Sequence, residues 1–342
     1  MSTALKIGVI GLGRMGQLYA RTLATQVSGV HLYAVANLDE HARKQVAEEF
    51  GVSYVFADAY ELIALPELDA VVIATPTNTH HDLVIAAADA GKAIFCEKPL
   101  ALTLEETHRA LGAVARAQVP LQIGFMRRFD AGYQKAKTLI TTGLIGSPIT
   151  FKSLSRDPFC PRPDYAHPAR SGGLIFDMAI HDFDLARWLM GSEVERVTAE
   201  GALLFCKDLE SVGDIDNALI NLHFMSGALG NVEVSRNAFY GYDIRTEVLG
   251  SEGAVMIGVH QHTPVVLFTR AGAQHDVTPY LMERFGDAYG AQLQHFVDCL
   301  NSDQSPSVGA TDALAACEIG IAATRAYQTG HPVSLRELRL SS

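Results

Sequence analysis

The stretch Lys6-Ile7-Gly8-Val9-Ile10-Gly11-Leu12-Gly13-Arg14-Met15-Gly16 decides the fold. Ile7 to Ile10 is a short apolar run suited to a buried strand, and Met15 to Gln26 has the pattern of a helix. Between them the glycines follow the spacing Gly-x-Gly-x-x-Gly. Gly11 permits a tight turn, Gly13 lets the backbone approach a pyrophosphate, and Gly16 lets the helix pack closely on the strand. The N–H groups at the start of that helix attract an anion. Gly11, Gly13, Arg14, Met15 and Gly16 are therefore the expected dinucleotide contacts. The same residues without a ligand would be an ordinary glycine-rich turn, and it is the strand–turn–helix setting that favours the cofactor.

The rest of the first third keeps the same rhythm. Strands are expected at Leu32–Asn37, Ala70–Ala74, Ala93–Cys96 and Leu121–Gly124. Helices are expected at Glu40–Phe50, His80–Ala90 and Thr103–Ala117, the last with Thr103, Glu105 and Glu106 near its start, where acidic groups favour the helix dipole. Buried strands separated by helices imply an α/β domain with a parallel sheet covered on both faces. The rhythm changes after Gly124. A helix over Asp130–Thr142 leads to longer, half-alternating strands at Ile149–Ser155, Val194–Phe205, Asn217–Phe224, Gly230–Ser235, Arg245–Leu249 and Ala254–Ile257. Gly250-Ser251-Glu252-Gly253 is a turn between the last two. This is the pattern of a large, mostly antiparallel sheet, interrupted by a loop and helix over Gly172–Met190 and closed by helices at Tyr289–Leu300 and Thr311–Tyr327. The expected division is a dinucleotide domain over residues 1–123 and a second α/β domain over 124–342, with the terminal helices free to pack back on the first.

Composition excludes several classes. The chain has 342 residues, enough for two domains, with 48% hydrophobic and 19% charged residues, an ordinary globular balance. A net charge of −11 argues against a nucleic-acid partner. No apolar run is long enough for a membrane span, and Met1-Ser2-Thr3 leads almost directly into the first strand with no visible signal peptide. Cys96, Cys160, Cys206, Cys299 and Cys317 are scattered. Their odd number speaks against a full disulfide framework and for a reducing compartment, so a cytoplasmic protein is expected.

Three groups of residues carry chemistry. At the end of the second strand, Asn37 is placed to meet the adenosine ribose, and it bonds hydroxyls without repelling a 2′-phosphate as an acid would. Asp39 either assists there or caps the next helix. NAD is favoured over NADP, which is not excluded. Thr75-Pro76-Thr77-Asn78-Thr79-His80 follows a strand, so Thr75, Pro76, Asn78 and His80 lie at the carboxyl edge where ligands bind. Asn78 serves equally as a helix cap, and His80 as a surface residue at a helix start. Glu97-Lys98-Pro99 follows the next strand. Pro99 biases Lys98 away from helical geometry, and an ammonium there suits an alcohol oxygen that gains negative charge as hydride departs. The alternative is a surface lysine paired with Glu97. Asp177 and His181, four apart, share a helix face if the helix starts by Asp177. A carboxylate beside an imidazole favours its protonated form, and histidine, ordinarily titrating at about 6.5, accepts a hydroxyl proton near neutrality. A helix cap and a solvated histidine are the plain alternative. Asp182, Asp184 and His80 add metal-ligand types, but their order fits no zinc or iron motif, so no metal is expected.

Gly11 to Gly16, Ala74 to His80, Glu97-Lys98-Pro99 and the pair Asp177 and His181 together resemble the glucose–fructose oxidoreductase, inositol dehydrogenase and rhizopine-catabolism family over nearly the whole chain. Gly124-Phe125-Met126-Arg127-Arg128-Phe129-Asp130 and Tyr240-Gly241-Tyr242-Asp243-Ile244-Arg245 are similar to its inositol 2-dehydrogenase branch. The resemblance implies a Rossmann domain, a C-terminal α/β domain whose open sheet lies over the nicotinamide, and pairing of such sheets into dimers or tetramers. It implies that Lys98, Asp177 and His181 are the catalytic set. Asn37 departs from the aspartate usual in NAD-specific relatives. For a polyol such as myo-inositol, oxidised to its 2-keto product, Arg127, Asp157, Tyr240 and Tyr242 are further candidate contacts. Arg127 serves equally as a domain brace and Asp157 as a turn cap before Pro158. Tyr240 and Tyr242 flank Gly241 and would face one side of an extended segment. The competing functions are a dehydrogenase of another sugar or inositol isomer, and a cofactor-binding regulatory protein without turnover.

Overall fold

The chain divides into two units, Met1–Met126 with Asp287–Cys317, and Arg127–Gly286 with Glu318–Ser342. The computed structural model describes residues 4–258 and 261–340, so the opening Met1-Ser2-Thr3 lies outside the described residues. In the first unit the strands β1 (Leu5–Ile10), β2 (Val30–Ala36), β3 (Tyr54–Phe56), β4 (Ala70–Ile73), β5 (Ala93–Cys96) and β6 (Leu121–Ile123) form one sheet. Its order is β3-β2-β1-β4-β5-β6 and every pairing is parallel. This is a Rossmann sheet, with the order reversing between β1 and β4. All residues of β4 and β5 are buried, as uninterrupted apolar runs require when both faces are covered.

The crossover helices Arg14–Thr25, Glu40–Phe50, His80–Asp89 and Leu104–Ala117 lie within a residue or so of their expected bounds. Leu104–Ala117 begins with a capping box. The Thr103 hydroxyl accepts from the Glu106 N–H at 3.2 Å and the Glu106 carboxylate accepts from the Thr103 N–H at 3.2 Å. That arrangement satisfies donors a helix start leaves open, a more specific role than the dipole effect expected for Glu106. The three-residue β3 and the helix Ala59–Ile63 are too short to announce themselves by periodicity.

In the second unit β7 (Pro148–Arg156), β8 (Val194–Ala202), β9 (Asn217–Phe224), β10 (Leu229–Ser235), β11 (Asp243–Gly250) and β12 (Ala254–Ile257) appear near their expected bounds. A hairpin of β13 (Gln261–Thr269) and β14 (Gly272–Val277) and a short β15 (Val333–Ser334) were not legible in the sequence. The large sheet has the order β12-β11-β7-β10-β9-β8-β15, and only β7 and β10 run parallel. Burial alternates along β9: Ala218, Ile220, Leu222 and Phe224 are buried, while Leu219 and Asn221 are exposed. One face is therefore core and the other open. Helix Ile180–Met190 packs on β7 and β10. Helix Leu281–Asn301 begins eight residues before the expected Tyr289.

Cys160 and Cys206 form a disulfide, while Cys96, Cys299 and Cys317 are buried thiols. The pair is 46 residues apart in sequence. A count of cysteines carries no information about such proximity, so the odd total is no argument for a reducing compartment. Among the described residues no helix is long and apolar enough to cross a membrane.

The segment leading to Cys206 is held by Asp216. This fully buried carboxylate accepts from the backbone N–H groups of Leu204 at 2.8 Å, Phe205 at 2.6 Å and Cys206 at 2.6 Å, and from the Asn217 amide at 2.8 Å. Burial alone would raise its pKa, but these donors outweigh burial and hold it below the ordinary carboxylate value. A depressed folded pKa stabilises above the unfolded pKa, about 3.9, and the benefit is lost as pH falls through the folded value. Asp216→Asn should therefore cost about 2–3 kcal/mol at neutral pH by orphaning buried donors. The gap to the parent chain should shrink below about pH 4. Denaturant unfolding of both chains at the two pH values checks this, and a gap independent of pH would contradict it.

Candidate active site

Parallel strands deliver their following loops to one edge. Gly11 N–H donates to the Ala36 carbonyl at 2.8 Å, Ala74 to Ile10 at 2.8 Å, Glu97 to Ile73 at 2.9 Å and Gly124 to Cys96 at 2.9 Å. The glycine turn, the Thr75 loop and the Glu97-Lys98-Pro99 loop thus leave the sheet side by side.

The three glycines have different reasons to be bare. Gly11 has φ +88°, and a Cβ there would meet the Ala74 carbonyl oxygen at 2.7 Å. A Cβ on Gly16 would overlap the Gly11 carbonyl. Around Gly13 a Cβ would meet nothing within 4 Å. The protein itself needs no glycine at Gly13, so the open space beside it fits a ligand backbone. Gly13 also caps helix Arg14–Thr25 without a side-chain hydrogen bond, and the first turn holds no acid. The helix start is left to an outside anion, and the residues present fit a dinucleotide.

At the adenosine end, Asn37 is half-buried and its side-chain oxygen accepts from the Leu12 N–H at 3.1 Å. Asp39 takes the capping role, accepting from His41 N–H at 2.8 Å and Ala42 N–H at 3.4 Å. Arg43, which the sequence did not single out, donates to the carbonyls of Asn37 and Leu38. In the Thr75 loop, the Thr79 hydroxyl lies 2.7 Å from that of Thr75. Pro76 and Asn78 are exposed, and Asn78 sits inside a short 3-10 turn, Thr77–Thr79, with Thr79 preceding the helix. The capping alternative for Asn78 is thereby removed.

His80 is not the surface residue expected. It is buried, with Nδ1 2.7 Å from the Pro99 carbonyl and Nε2 2.9 Å from the Thr75 carbonyl. Burial pushes its pKa down against the pull of those two carbonyls. The imidazole ties the Thr75 loop to the Lys98–Pro99 peptide, which is cis. Glu97 is buried as well, so it is no exposed partner for a surface lysine. Its carboxylate accepts from the Tyr19 hydroxyl and from the Lys98 N–H at 3.1 Å. Gln292 in turn donates to the Tyr19 oxygen at 3.0 Å. Burial first, then the Glu97 charge, raise the Tyr19 pKa well above its usual value, so Tyr19 remains a donor. Lys98 itself is half-buried. Tyr19 was missed, although a hydroxyl one turn after Gly16 on the buried helix face was a signal.

In the second unit the helix carrying Asp177 and His181 has a π-turn over Ile175–Ala179 and continues as α-helix Ile180–Met190. Such turns often re-aim side chains at functional sites. From Gly173 to Arg187 every residue is buried except Asp177 and His181, both half-buried. Asp177 accepts from Arg236 at 3.2 Å and from the Tyr165 hydroxyl at 3.3 Å. Arg236, almost fully buried, also faces Asp214 at 3.4 Å. Asp214 accepts from the Leu174 N–H at 3.0 Å. Burial raises the Asp214 pKa, and Arg236 works against that rise. Neither Arg236 nor Asp214 follows from spacing, since each meets this helix only through the fold.

The remaining candidates separate. Arg127 is buried, donating to Asp182 at 2.8 Å and to Ser155 at 3.1 Å over the Phe285 ring, which is a brace within its own unit. Asp157 is half-buried and its backbone links Ser235 and Ala238. Tyr240 and Tyr242 do not share one side of an extended segment. Gly241 has φ +147°, and the Tyr240 hydroxyl goes to Arg156 and Asp243 while the Tyr242 ring packs on Tyr280 and Phe285. Among the described residues no group of His, Cys, Asp and Glu is placed to hold a metal ion.

A Rossmann sheet with a ligand-ready glycine turn, joined in one chain to a large open sheet, defines a two-part oxidoreductase of the NAD-binding kind. Residues 5–125 match the oxidoreductase family NAD-binding Rossmann fold and residues 137–335 match the same family's C-terminal alpha/beta domain. The chain belongs to the glucose–fructose oxidoreductase, inositol dehydrogenase and rhizopine-catabolism family. It is 43% identical to a scyllo-inositol 2-dehydrogenase (NAD(+)) of Bacillus subtilis, covering 98% of this chain and 97% of that one. It is 41% identical to a myo-inositol 2-dehydrogenase of Thermotoga maritima, covering 98% and 99%. A crystal structure of scyllo-inositol dehydrogenase from Lactobacillus casei with bound NAD(H) and scyllo-inositol superposes with a TM-score of 0.92 at 30% identity, covering 97% and 99%.

The glycines supply a prediction. Gly13→Val should leave the melting temperature near that of the parent and weaken NAD binding at least tenfold, because its side chain enters space the protein leaves empty. Gly16→Ala should destabilise the fold by on the order of 3 kcal/mol through backbone overlap. Calorimetry of unfolding and of NAD binding separates the two, and a Gly13→Val chain that binds NAD normally would refute the assignment.

Proposed function

We propose that the protein oxidises a cyclic polyol, myo-inositol, to its 2-keto product (scyllo-inosose), with Lys98, Asp177 and His181 as the catalytic set. The observation that carries this reading is the isolation of Asp177 and His181 as the two accessible side chains on an otherwise buried helical stretch. An acid and an imidazole at such positions stay within reach of a ligand. NAD, when bound along Gly11–Gly16, supplies the hydride acceptor. His181 takes the hydroxyl proton, and Asp177 holds the imidazole and favours its cationic form. Lys98, set by the Glu97 carboxylate and the following proline, donates to the oxygen as negative charge grows on it. Tyr240 and Asp157 are proposed substrate contacts, with the buried Arg127 and the half-buried Tyr242 as supports.

A second reading has a specific observation behind it, since the relative that is 43% identical is a scyllo-inositol dehydrogenase. The two inositols differ in configuration at a single carbon, so oxidation there gives one and the same ketone. Incubation with a polyol panel, followed by the absorbance of reduced nicotinamide, decides between axial and equatorial hydroxyls. It also tests the non-catalytic alternative, which predicts no turnover. The open face of the second sheet, where Leu219, Leu229, Leu249 and Met256 are exposed on one side, is the proposed self-association surface.

NAD should be preferred over NADP by a modest margin, because Asn37 carries no charge to repel a 2′-phosphate. Asn37→Asp should widen that margin, read as the ratio of kcat/KM for the two cofactors, and a strong native preference for NADP would overturn the assignment. His181→Ala should lower turnover by about 10²–10⁴-fold and Lys98→Ala by about 10²–10³-fold, each with NAD affinity retained. Oxidation by the parent chain should rise with pH as the base loses its proton. Pre-steady-state nicotinamide reduction across pH checks this, and a His181→Ala chain with the parent's rate and profile would rule His181 out as the base.

A further inference from the structure

Arg236 raises a problem of charge. A carboxylate that must stabilise an imidazolium works best if its own charge is not already cancelled. Asp177 nevertheless accepts from a nearly fully buried guanidinium. The same guanidinium lies against a second carboxylate, Asp214, through its other terminal nitrogen. Asp177, Arg236 and Asp214 together carry a net charge of minus one when both acids are ionised.

We propose that Arg236 and Asp214 are positioning residues that set the charge behind the catalytic pair. Arg236 fixes the Asp177 carboxylate, and Asp214 draws off enough of the guanidinium's field that Asp177 still acts as an anion toward His181. Asp214 also fixes the start of this helix through the Leu174 N–H, so orientation and charge come from the same side chain. The geometry around Gly173 agrees. It has φ +73°, and a Cβ there would sit 2.7 Å from the Asp214 oxygen, so the chain is bare where the carboxylate approaches.

Several other charges near this helix pair among themselves. Asp182 pairs with Arg127, Asp184 with Arg128 and Arg187 with Glu193 on the helix itself. Arg156 on β7 pairs with Glu233 on β10 and with Asp243 on β11. Tyr165 donates to Asp177 as a neutral phenol. Arg236 and Asp214 differ from these pairs in that their guanidinium also meets Asp177.

The inference rests on the reading of His181 as the base, and its test separates the two. The acidic limb of kcat/KM against pH reports the base in the free enzyme. Asp214→Asn removes one negative charge and keeps an oxygen for the Leu174 N–H. The limb should move to lower pH by about half a unit or more, because a less negative surrounding favours the imidazolium less. Arg236→Gln removes the positive charge, and the limb should move to higher pH. The double variant restores the net charge and should return the limb toward the parent position. Opposite shifts with unchanged NAD affinity support the proposal. Limbs that stay put, or that move in the same direction, overturn it. If Arg236→Gln does not fold, the Asp214→Asn shift alone decides. If His181→Ala keeps the parent's limb, the assignment of the base fails instead, whatever the other variants do.

Discussion

Parallel pairing is the constraint on which the first unit depends. Two neighbouring parallel strands force the chain to cross back over the sheet before each new strand, so every strand exits on the same edge. That alone brings Gly11, Thr75 and Lys98 into one row, although up to about ninety residues separate them in sequence. The bonds from Ala74 to Ile10 and from Glu97 to Ile73 lock successive exits together. His80 then bonds across two of those loops from below. A lysine on such an edge is aimed by its backbone, because Glu97 accepts its N–H and is itself held by Tyr19.

The parts legible in the sequence were those whose cause is local. Ala93–Cys96 and Asn217–Phe224 were read to the residue because burial on two faces or on one leaves an apolar run or an alternation. The glycine spacing marked its turn for the same reason. What stayed hidden depends on proximity across the fold. Tyr19 meets Glu97 over 78 residues, and Arg236 meets Asp177 over 59. A buried histidine such as His80 looks like a surface one until its two carbonyl partners are seen. The β13–β14 hairpin escaped because Val265, Val266, Leu267 and Phe268 are all exposed, which gives no alternation to read.

The second unit shows how a helix crowded with acids sorts them. Asp177, Asp182 and Asp184 each meet an arginine, so an arginine partner does not by itself mark function. Asp182 is fully buried, and its oxygens accept from Arg127, Ser153 and Ser155. Asp184 accepts both hydrogen bonds of the Arg128 fork. Such closed pairs repay their desolvation through geometry and orient the elements they join. Their charge is spent within the fold.

Asp177 differs in both respects. It retains access to solvent, and it shares its arginine with a second carboxylate. One guanidinium cannot neutralise two acids, so some negative charge must remain in the group. In a chain whose total charge is already −11, a residual charge near the surface would be of little account. Four residues from an imidazole in sequence and backed by buried residues, the same charge is screened far less. The chemistry proposed for this helix therefore follows from an arithmetic of partners more than from the identity of any one side chain. Of the three aspartates, the fold closes Asp182 and Asp184 into buried pairs and leaves Asp177 half-buried and sharing its arginine.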